Sequence, residues 1–422
     1  MIISHKIELI PNNKAKTYFK KAFGCSRLAY NWGLAKWQEY YKQGIKKTYL
    51  DLKKEFNAIK KEQFPFVYEV SKYATQQPFI HLNLAFNKFF RDLKQGKLSY
   101  PKFKKKKDNQ GSFYLGGDII KFSTKNNKTY LKIPNLGKVK LREKLRFNGT
   151  INSVTISQKA NKYYASFSME ISDDEFHQTH KQALDSHQAL GIDMGLNSFV
   201  SLSNGLNIQA PKPLDKLTRK LKKIQRKLSK KIHPKTKGDT TKKSKNYFKQ
   251  SLKLSKIHQK IKNTRNDFLH KLTTILIRHY AYFGIENLNI QGMMKNHHLA
   301  KAISDVSFYE FKRMLTYKAG YYKRVVIEAD TFYPSSKQCF VCKSKKENLM
   351  LSQRVYQCEN CGSILDRDYN AALNLQSLAQ EKVGLVQAEF TPEDLTALLD
   401  DLGTNHLVTS KVETGIQQKS YL

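Results

Sequence analysis

Acidic residues are scarce in this chain of 422: 35 Asp and Glu stand against 75 Lys and Arg, a formal charge of +40. That imbalance exceeds what solubility requires and excludes a cationic partner, leaving a polyanion as the natural one. Long apolar runs are missing too. No stretch approaches the roughly 18 residues of a spanning helix, and no secretory signal or lipidation motif is visible, so a membrane role is set aside. Nucleic acid is preferred to a lipid surface, because 23 Tyr and 24 Phe stand ready to stack beside the basic residues. Cysteine is rare, five in all; without a secretory signal these thiols are expected to stay reduced, which argues against a disulfide framework.

Four of the five cysteines fall together. Cys339, Cys342, Cys358 and Cys361 form C-x2-C-x15-C-x2-C, a spacing that supplies the closed tetrahedral thiolate shell of a structural zinc. Cys25 lies in an amphipathic helical pattern and is expected to be inert.

The length suggests two to four domains. A first strand ends at Pro11, and Asn12 or Asn13 can cap a helix from near Lys14. Apolar residues then recur at three and four to about residue 97, the pattern of a helical subdomain. Tyr100-Pro101-Lys102-Phe103-Lys104-Lys105 is a basic, aromatic loop suited to stacking and phosphate neutralisation. From 119 to 171 the period becomes two, with Asn and Gly turns, suggesting a small β-barrel into which the helices are inserted. Residues 173–187 read as a polar linker. Between 212 and 272, Leu214, Leu217, Leu221, Ile224 and Leu228 face Leu254, Ile257, Ile261, Phe268 and Leu272 in an antiparallel basic helical pair. Its charges, including Lys220, Lys223, Arg226 and Lys227, almost lack acidic partners and invite phosphates. From Glu381 onward the chain is net acidic and is expected to be a disordered tail.

Three carboxylates stand where an apolar strand ends or a helix begins: Asp193, Glu286 and Asp368. Hard oxygen ligands of this kind hold paired Mg2+ ions about 4 Å apart, which assist in-line phosphodiester displacement. Each acid alone has a plainer reading, Asp193 as a turn residue, Glu286 as a cap or surface acid, and Asp368 as a helix cap. Asp366 competes with Asp368, since spacing does not separate two positions in one turn. Glu328 is a weaker candidate, and His297 and His298 read as solvated.

Gly191-Ile192-Asp193-Met194-Gly195, Gly284-Ile285-Glu286-Asn287-Leu288, Ser335-Ser336-Lys337-Gln338-Cys339 and Asp366-Arg367-Asp368-Tyr369-Asn370-Ala371-Ala372 resemble, in order, the RuvC-like segments and zinc ribbon of transposon-encoded TnpB (OrfB) proteins. That family is the compact relative of type V CRISPR effector nucleases. The resemblance extends to Ser26-Arg27-Leu28-Ala29-Tyr30-Asn31-Trp32 and to Tyr100–Lys104, and covers nearly everything but the tail. It implies that Asp368, in Asp-x-Asn-Ala-Ala, is the last catalytic acid, with Asp193 and Glu286 the others.

It further implies a multidomain α+β fold. Residues 1–10 and 98–172 would form a WED-like β-barrel, with 11–97 as its REC-like helical insertion. Residues 188–338 and 363–380 would form an RNase H-like (RuvC) α/β domain carrying the basic hairpin 212–272, with 339–362 as zinc ribbon and 381–422 as tail. The implied activity is that of an RNA-guided DNA endonuclease of an insertion sequence. It would cut beside a short transposon-associated motif with catalytic Mg2+ and structural Zn2+. The expected partners are a guide RNA from the transposon end and double-stranded DNA, held partly by Tyr100, Lys102, Phe103, Lys104, Lys105 and the hairpin cations. A cytoplasmic, nucleoid-associated monomer is expected. The alternatives are a transposase or transposition accessory protein, although no catalytic Tyr or HUH motif is evident, and a non-cleaving RNA-guided repressor, which the complete acidic set disfavours.

Overall fold

The computed structural model describes residues 1–106, 109–180, 187–236, 238–350 and 352–384, with the backbone of 408–411. By its contacts the chain forms two units, Met1–Lys181 with Ile224–Gln259, and Gln182–Lys223 with Lys260–Leu422.

In the first unit, β1 (Ile2–Ile10) buries alternate residues, as its period-two pattern dictates. Asn12 then accepts a hydrogen bond from Ala15 N at 2.9 Å and starts α1 (Asn13–Lys42). A capping box between Thr48 and Asp51 opens α2 (Tyr49–Gln63), and α3 (Tyr73–Leu93) completes the helical group. Their apolar stripes meet through Tyr30, Leu34, Leu52, Phe56, Phe79, Leu82 and Phe86. Cys25 is buried in α1, and burial pushes its thiol up to about 11, so it remains protonated.

Six more strands follow: β2 (Gln110–Gly116), β3 (Lys121–Lys125), β4 (Lys128–Ile133), β5 (Gly137–Leu141), β6 (Thr150–Lys159) and β7 (Lys162–Glu170). With β1 they form an antiparallel sheet in the order β2-β6-β7-β1-β5-β4-β3. Four strand spacings separate β7 from β3, about 19 Å on a flat sheet. Yet Phe167 of β7 and Phe122 of β3 pack at 5.7 Å between ring centroids, tilted by 41°, so the sheet curls over on itself. Phe19 of α1 packs on it at 5.4 Å from Tyr163 and 6.0 Å from Phe113.

The stretch read as a linker departs from that reading in its first half. Ser172 caps a short helix, α4 (Asp173–Thr179), whose first turn holds Asp173, Asp174 and Glu175; acids there complement the helix N-terminus. Residues 181–186 lie outside the described residues.

The second unit is built on β8 (Ala189–Met194), β9 (Val200–Leu202) and β10 (Leu206–Ile208). Next comes the basic pair, α5 (Pro213–Ser229) and α6 (Lys245–His279), whose segment 224–259 belongs to the first unit. There Gln250 Nε2 reaches Ile224 O at 3.4 Å. The apolar positions of α5 are half-buried, while Ile257, Ile261, Phe268 and Leu272 of α6 are buried and Leu254 half-buried.

The chain continues through β11 (Tyr282–Ile285), α7 (Ile290–Met293), α8 (His297–Val306), α9 (Phe308–Tyr321) and β12 (Val325–Glu328). The hairpin β13 (Val355–Gln357) and β14 (Ile364–Asp366) precedes α10 (Arg367–Val383), and β15 (Val408–Lys411) is the last described element. The sheet order is β12-β11-β8-β9-β10-β15, with β12, β11 and β8 parallel and the rest antiparallel. Its core includes Ile192, Phe199, Leu272, Leu276, Phe283, Phe308 and Phe311.

The tail expectation is corrected at two places. The helix runs past 381 to Val383 and ends on Gly384 in the left-handed conformation, and Val408–Lys411 adds a strand to the sheet edge. The rest of 385–422 lies outside the described residues. Among the described residues no helix is long and apolar enough to cross a membrane.

Candidate active site and zinc ribbon

Ile192 of β8 and Ile285 of β11 are in register on adjacent parallel strands. The residues after them, Asp193 and Glu286, therefore emerge side by side at the same sheet end. Two residues earlier, Gly191 and Gly284 are also paired. A Cβ at Gly191 would fall 1.8 Å from Ala372 O, and one at Gly284 1.9 Å from Leu375 O. Only glycine permits the backbone of α10 to lie directly on these strands. That contact carries the first turn of α10, with Asp368, to the two strand-end acids.

Electrostatics register the convergence. Burial, then Glu286 and Asp368, raises the Asp193 carboxyl well above the usual range. Burial also raises Glu286, with Asp368 adding to it and a hydrogen bond from Ser335 opposing it. Asp368 is raised by burial and by Asp366, against the pull of Arg367 and Arg354. Carboxylates crowded in this way resist ionising together unless a cation joins them. All three remain half-buried, so an ion can reach them. Oxygen donors of this kind suit a hard divalent cation, while among the described residues the group close enough to hold a metal is the four cysteines.

The two acids of the Asp-x-Asp turn have different tasks. Asp366 is the helix cap: its Oδ1 accepts from Asp368 N at 3.0 Å and Tyr369 N at 2.9 Å. Asp368 is one residue inside the helix, with Arg367 and Arg354 guanidinium nitrogens each 3.6 Å away. Glu328 is engaged with Lys312 Nζ at 2.7 Å, and His297 and His298 are exposed, their rings 3.9 Å apart.

Sequence reasoning assigned no task to Ser335, which donates to Glu286 Oε1, or to the buried Asp305. Asp305 accepts from Leu214 N (3.0 Å), Asp215 N (2.9 Å) and both Nε (3.1 Å) and a terminal nitrogen (2.9 Å) of Arg265, tying the root of α5 to α6. A glycine two positions before each strand-end acid was the readable signal for the helix seat; Asp305 offered none, being one acid in an ordinary helix.

The four cysteine sulfurs lie within 4.8 Å of one another. Cys339 and Cys361 are 3.7 Å apart, and Cys342 and Cys358 3.5 Å, close to the ~3.8 Å edge of a tetrahedron with ~2.3 Å zinc–sulfur bonds. The two knuckles are built alike. Cys339 N donates to Ser344 O and Lys343 N to Cys339 O, while Cys358 N donates to Ser363 O and Gly362 N to Cys358 O. Hydrogen bonds from Ser344 and Asn360 draw the Cys342 thiol down to about 5, whereas burial pushes Cys339 up to about 11. The donor set fits zinc.

Of the residues expected to meet nucleic acid, Lys102, Phe103 and Lys105 are exposed in the loop after α3, and Lys220, Lys223, Arg226 and Lys227 are exposed on α5. Two others have intramolecular partners. Tyr100 packs edge-on to Phe86 and Phe89, and Lys104 Nζ sits 3.8 Å over the Tyr30 ring. Asn31 clasps the Lys104 backbone, donating to its O at 3.0 Å and accepting from its N at 2.8 Å. This joins the Tyr30-Asn31 and Tyr100–Lys104 motifs.

Three family models match the chain: "Probable transposase" over residues 166–297, "Cas12f1-like, TNB domain" over 308–375 and "Helix-turn-helix domain" over 1–46. The last segment is β1 and the single long helix α1, so its description does not carry over to the geometry. A Streptomyces pristinaespiralis protein named "Putative RNA-guided DNA endonuclease" is 32% identical over 374 residues, 88% of this chain and 87% of that protein. The Escherichia coli K12 protein "Putative RNA-guided DNA endonuclease InsQ" is 27% identical over 389 residues, 88% of this chain and 90% of that one. A chain in the cryo-EM structure of a Cas12f1-sgRNA-target DNA complex superposes with a TM-score of 0.53 at 14% identity, covering 85% of this chain and 81% of that one. The fold is thus a Cas12f1-like multidomain α+β arrangement with mixed sheets. The chain belongs to the transposon-associated TnpB (OrfB) family.

Proposed function

We propose that the chain is an RNA-guided DNA endonuclease that cuts beside a short transposon-associated motif, using Asp193, Glu286 and Asp368 as its catalytic carboxylates. The observation that carries this reading is the seating of α10 on Gly191 and Gly284, which gathers three acids from distant parts of the sequence. The relatives' names support the guided activity.

Divalent cations bound there would supply Lewis acidity for in-line phosphodiester displacement. The chain's part is to present three oxygen ligands, with Asp366 holding the helix start so that Asp368 is left for the site. Arg354 and Arg367 flank Asp368 and would attract a phosphate, while the cysteine cluster would hold a structural zinc.

On this reading the curled sheet is WED-like, the helices α1 to α3 REC-like and the second unit RuvC-like. The exposed α5 cations and Lys102, Phe103 and Lys105 would contact guide RNA or DNA, and the protein would act as a monomer in the cytoplasm near the nucleoid. Helix α5 carries seven basic residues against Asp215, which Lys301 pairs at 2.6 Å, so its charge is available for phosphates.

The test is to purify the protein with RNA from its own locus and assay cutting of matching double-stranded DNA. A single locus-derived RNA with Mg2+-dependent cutting is expected. The same RNA without cutting would favour a guided repressor, and strand joining would favour a transposase.

A further inference from the structure

The loop between β12 and the first cysteine knuckle is fastened to α10 by two fully buried asparagines. Asn374 Nδ2 donates to Ser335 O at 2.9 Å and to Gln338 O at 2.7 Å. Asn370 Nδ2 donates to Gln338 O at 2.7 Å, and its Oδ1 accepts from Phe340 N at 3.0 Å. Tyr333 adds a hydroxyl bond to Asn374 O at 3.2 Å. The bonds satisfy the carbonyls of Ser335 and Gln338 and the amide of Phe340, backbone groups that would otherwise lack partners, and so fasten the loop to the helix. Ser335 is itself buried, 2% exposed, and its hydroxyl points to Glu286 Oε1.

Glu286 needs that support more than the other two acids. Asp193 lies within a strand, paired with Ser201 across the sheet, and Asp368 is fixed by a capped helix turn. Glu286 lies just beyond the end of β11 and has the longer side chain, with three torsions to order. Among the described residues, the Ser335 hydroxyl is the one hydrogen-bond donor to its carboxylate. That bond holds one carboxylate oxygen, Oε1, against the loop.

We propose that Ser335 is a positioning residue of the acid site, holding the Glu286 carboxylate in its ligand orientation from a loop that Asn370 and Asn374 lock to α10. This rests on the assignment of Asp193, Glu286 and Asp368 to a divalent-cation site. The loop also leads into the ribbon, so the hydroxyl is anchored between the cysteine knuckle and the helix that carries Asp368. Outer hydrogen bonds to metal ligands typically change metal affinity ~10- to 100-fold when removed.

The experiment compares wild type, Ser335→Ala, Ser335→Thr and Asp193→Ala as full-length ribonucleoproteins. It measures Mn2+ affinity by electron paramagnetic resonance, the Mg2+ concentration for half-maximal DNA cutting, bound zinc and bound RNA. Ser335→Ala is expected to bind Mn2+ ~10-fold more weakly and to need ~10-fold more Mg2+, recovering much of its rate at saturating Mg2+, with zinc and RNA unchanged. Ser335→Thr, which retains the hydroxyl, should restore the wild-type Mg2+ requirement. Wild type that binds Mn2+ through Asp193, beside a Ser335→Ala protein that binds it equally well, would overturn the role of Ser335 alone. Loss of zinc or RNA in Ser335→Ala would overturn it in favour of a structural role. Wild type that binds no Mn2+, with or without Asp193, would remove the acid site and the proposal with it.

Discussion

Four sulfurs and three carboxylates converge in the same unit by opposite routes. The cysteines arrive through two short knuckles of like construction, each closed by backbone hydrogen bonds within six residues. Their geometry is largely local: the second knuckle is the turn of the β13–β14 hairpin, and the first is tied to α10 through Phe340 N and Asn370 Oδ1. The acids come from positions 193, 286 and 368 and meet because a helix backbone rests on two strands at paired glycines. A local cluster can therefore be read from spacing, whereas a long-range one is readable only through the residues that permit the close approach.

Breaking the comparison starts at the acids. Alanine at Asp193, Glu286 or Asp368 is expected to reduce guided cutting on the order of 10^3-fold or more while zinc content and RNA binding persist; gel assays of programmed cleavage beside zinc analysis would check it. Retained cutting in any of the three would remove that residue from the site.

The next effect falls on the seat of the helix. Gly191→Val places a side chain where Ala372 O now lies and is expected to cost ~3 kcal/mol or more, lifting Asp368 away and ending cutting. The second knuckle, closed by its own backbone bonds, should persist, while the first, tied to α10 through Asn370 and Asn374, is expected to hold zinc more weakly. Thermal unfolding with zinc quantification would show whether the two constructions are independent.

Asp366→Ala sharpens the contrast within a single turn. Loss of its cap should lower stability by ~1 kcal/mol and reduce cutting far less than Asp368→Ala. Equal losses from both variants would mean that the two acids share one task.

The smallest effect is a gain. Asp193 has its carboxyl raised in the folded state by burial, Glu286 and Asp368, so ionising it costs stability, and the cost grows as pH rises through the raised value. In magnesium-free buffer Asp193→Asn should melt about 2–4 °C higher than wild type at pH 8, the shift of ~1 kcal/mol in a domain of this size. That advantage should shrink at acidic pH, where wild type is protonated. Melting curves across pH would reveal it.

These particulars also mark what was legible in the chain. The four-cysteine cluster followed from Cys-x-x-Cys spacing, and the helical group and the strands at 119–171 from periods of 3.6 and two. Asp193 and Glu286 were visible as acids at the ends of apolar strands; spacing left Asp366 and Asp368 tied, the resemblance chose Asp368, and in the structure Asp366 caps the helix. Spacing gave no sign of the intramolecular partners of Lys104, because the ring of Tyr30 and the amide of Asn31 lie some 70 positions away. Ser172 capping an acidic first turn was readable in principle, yet the polar composition of 173–187 outweighed it. Asp305 and Ser335 were invisible because their partners come from other elements.

The most direct measurement replaces Mg2+ with Fe2+ in the guided complex and maps where iron-generated hydroxyl radicals cut the protein backbone. Three clusters of cuts are expected, around Asp193, Glu286 and Asp368, all lost in Asp193→Ala. Cuts confined to other segments, or unchanged by that substitution, would contradict the three-acid site.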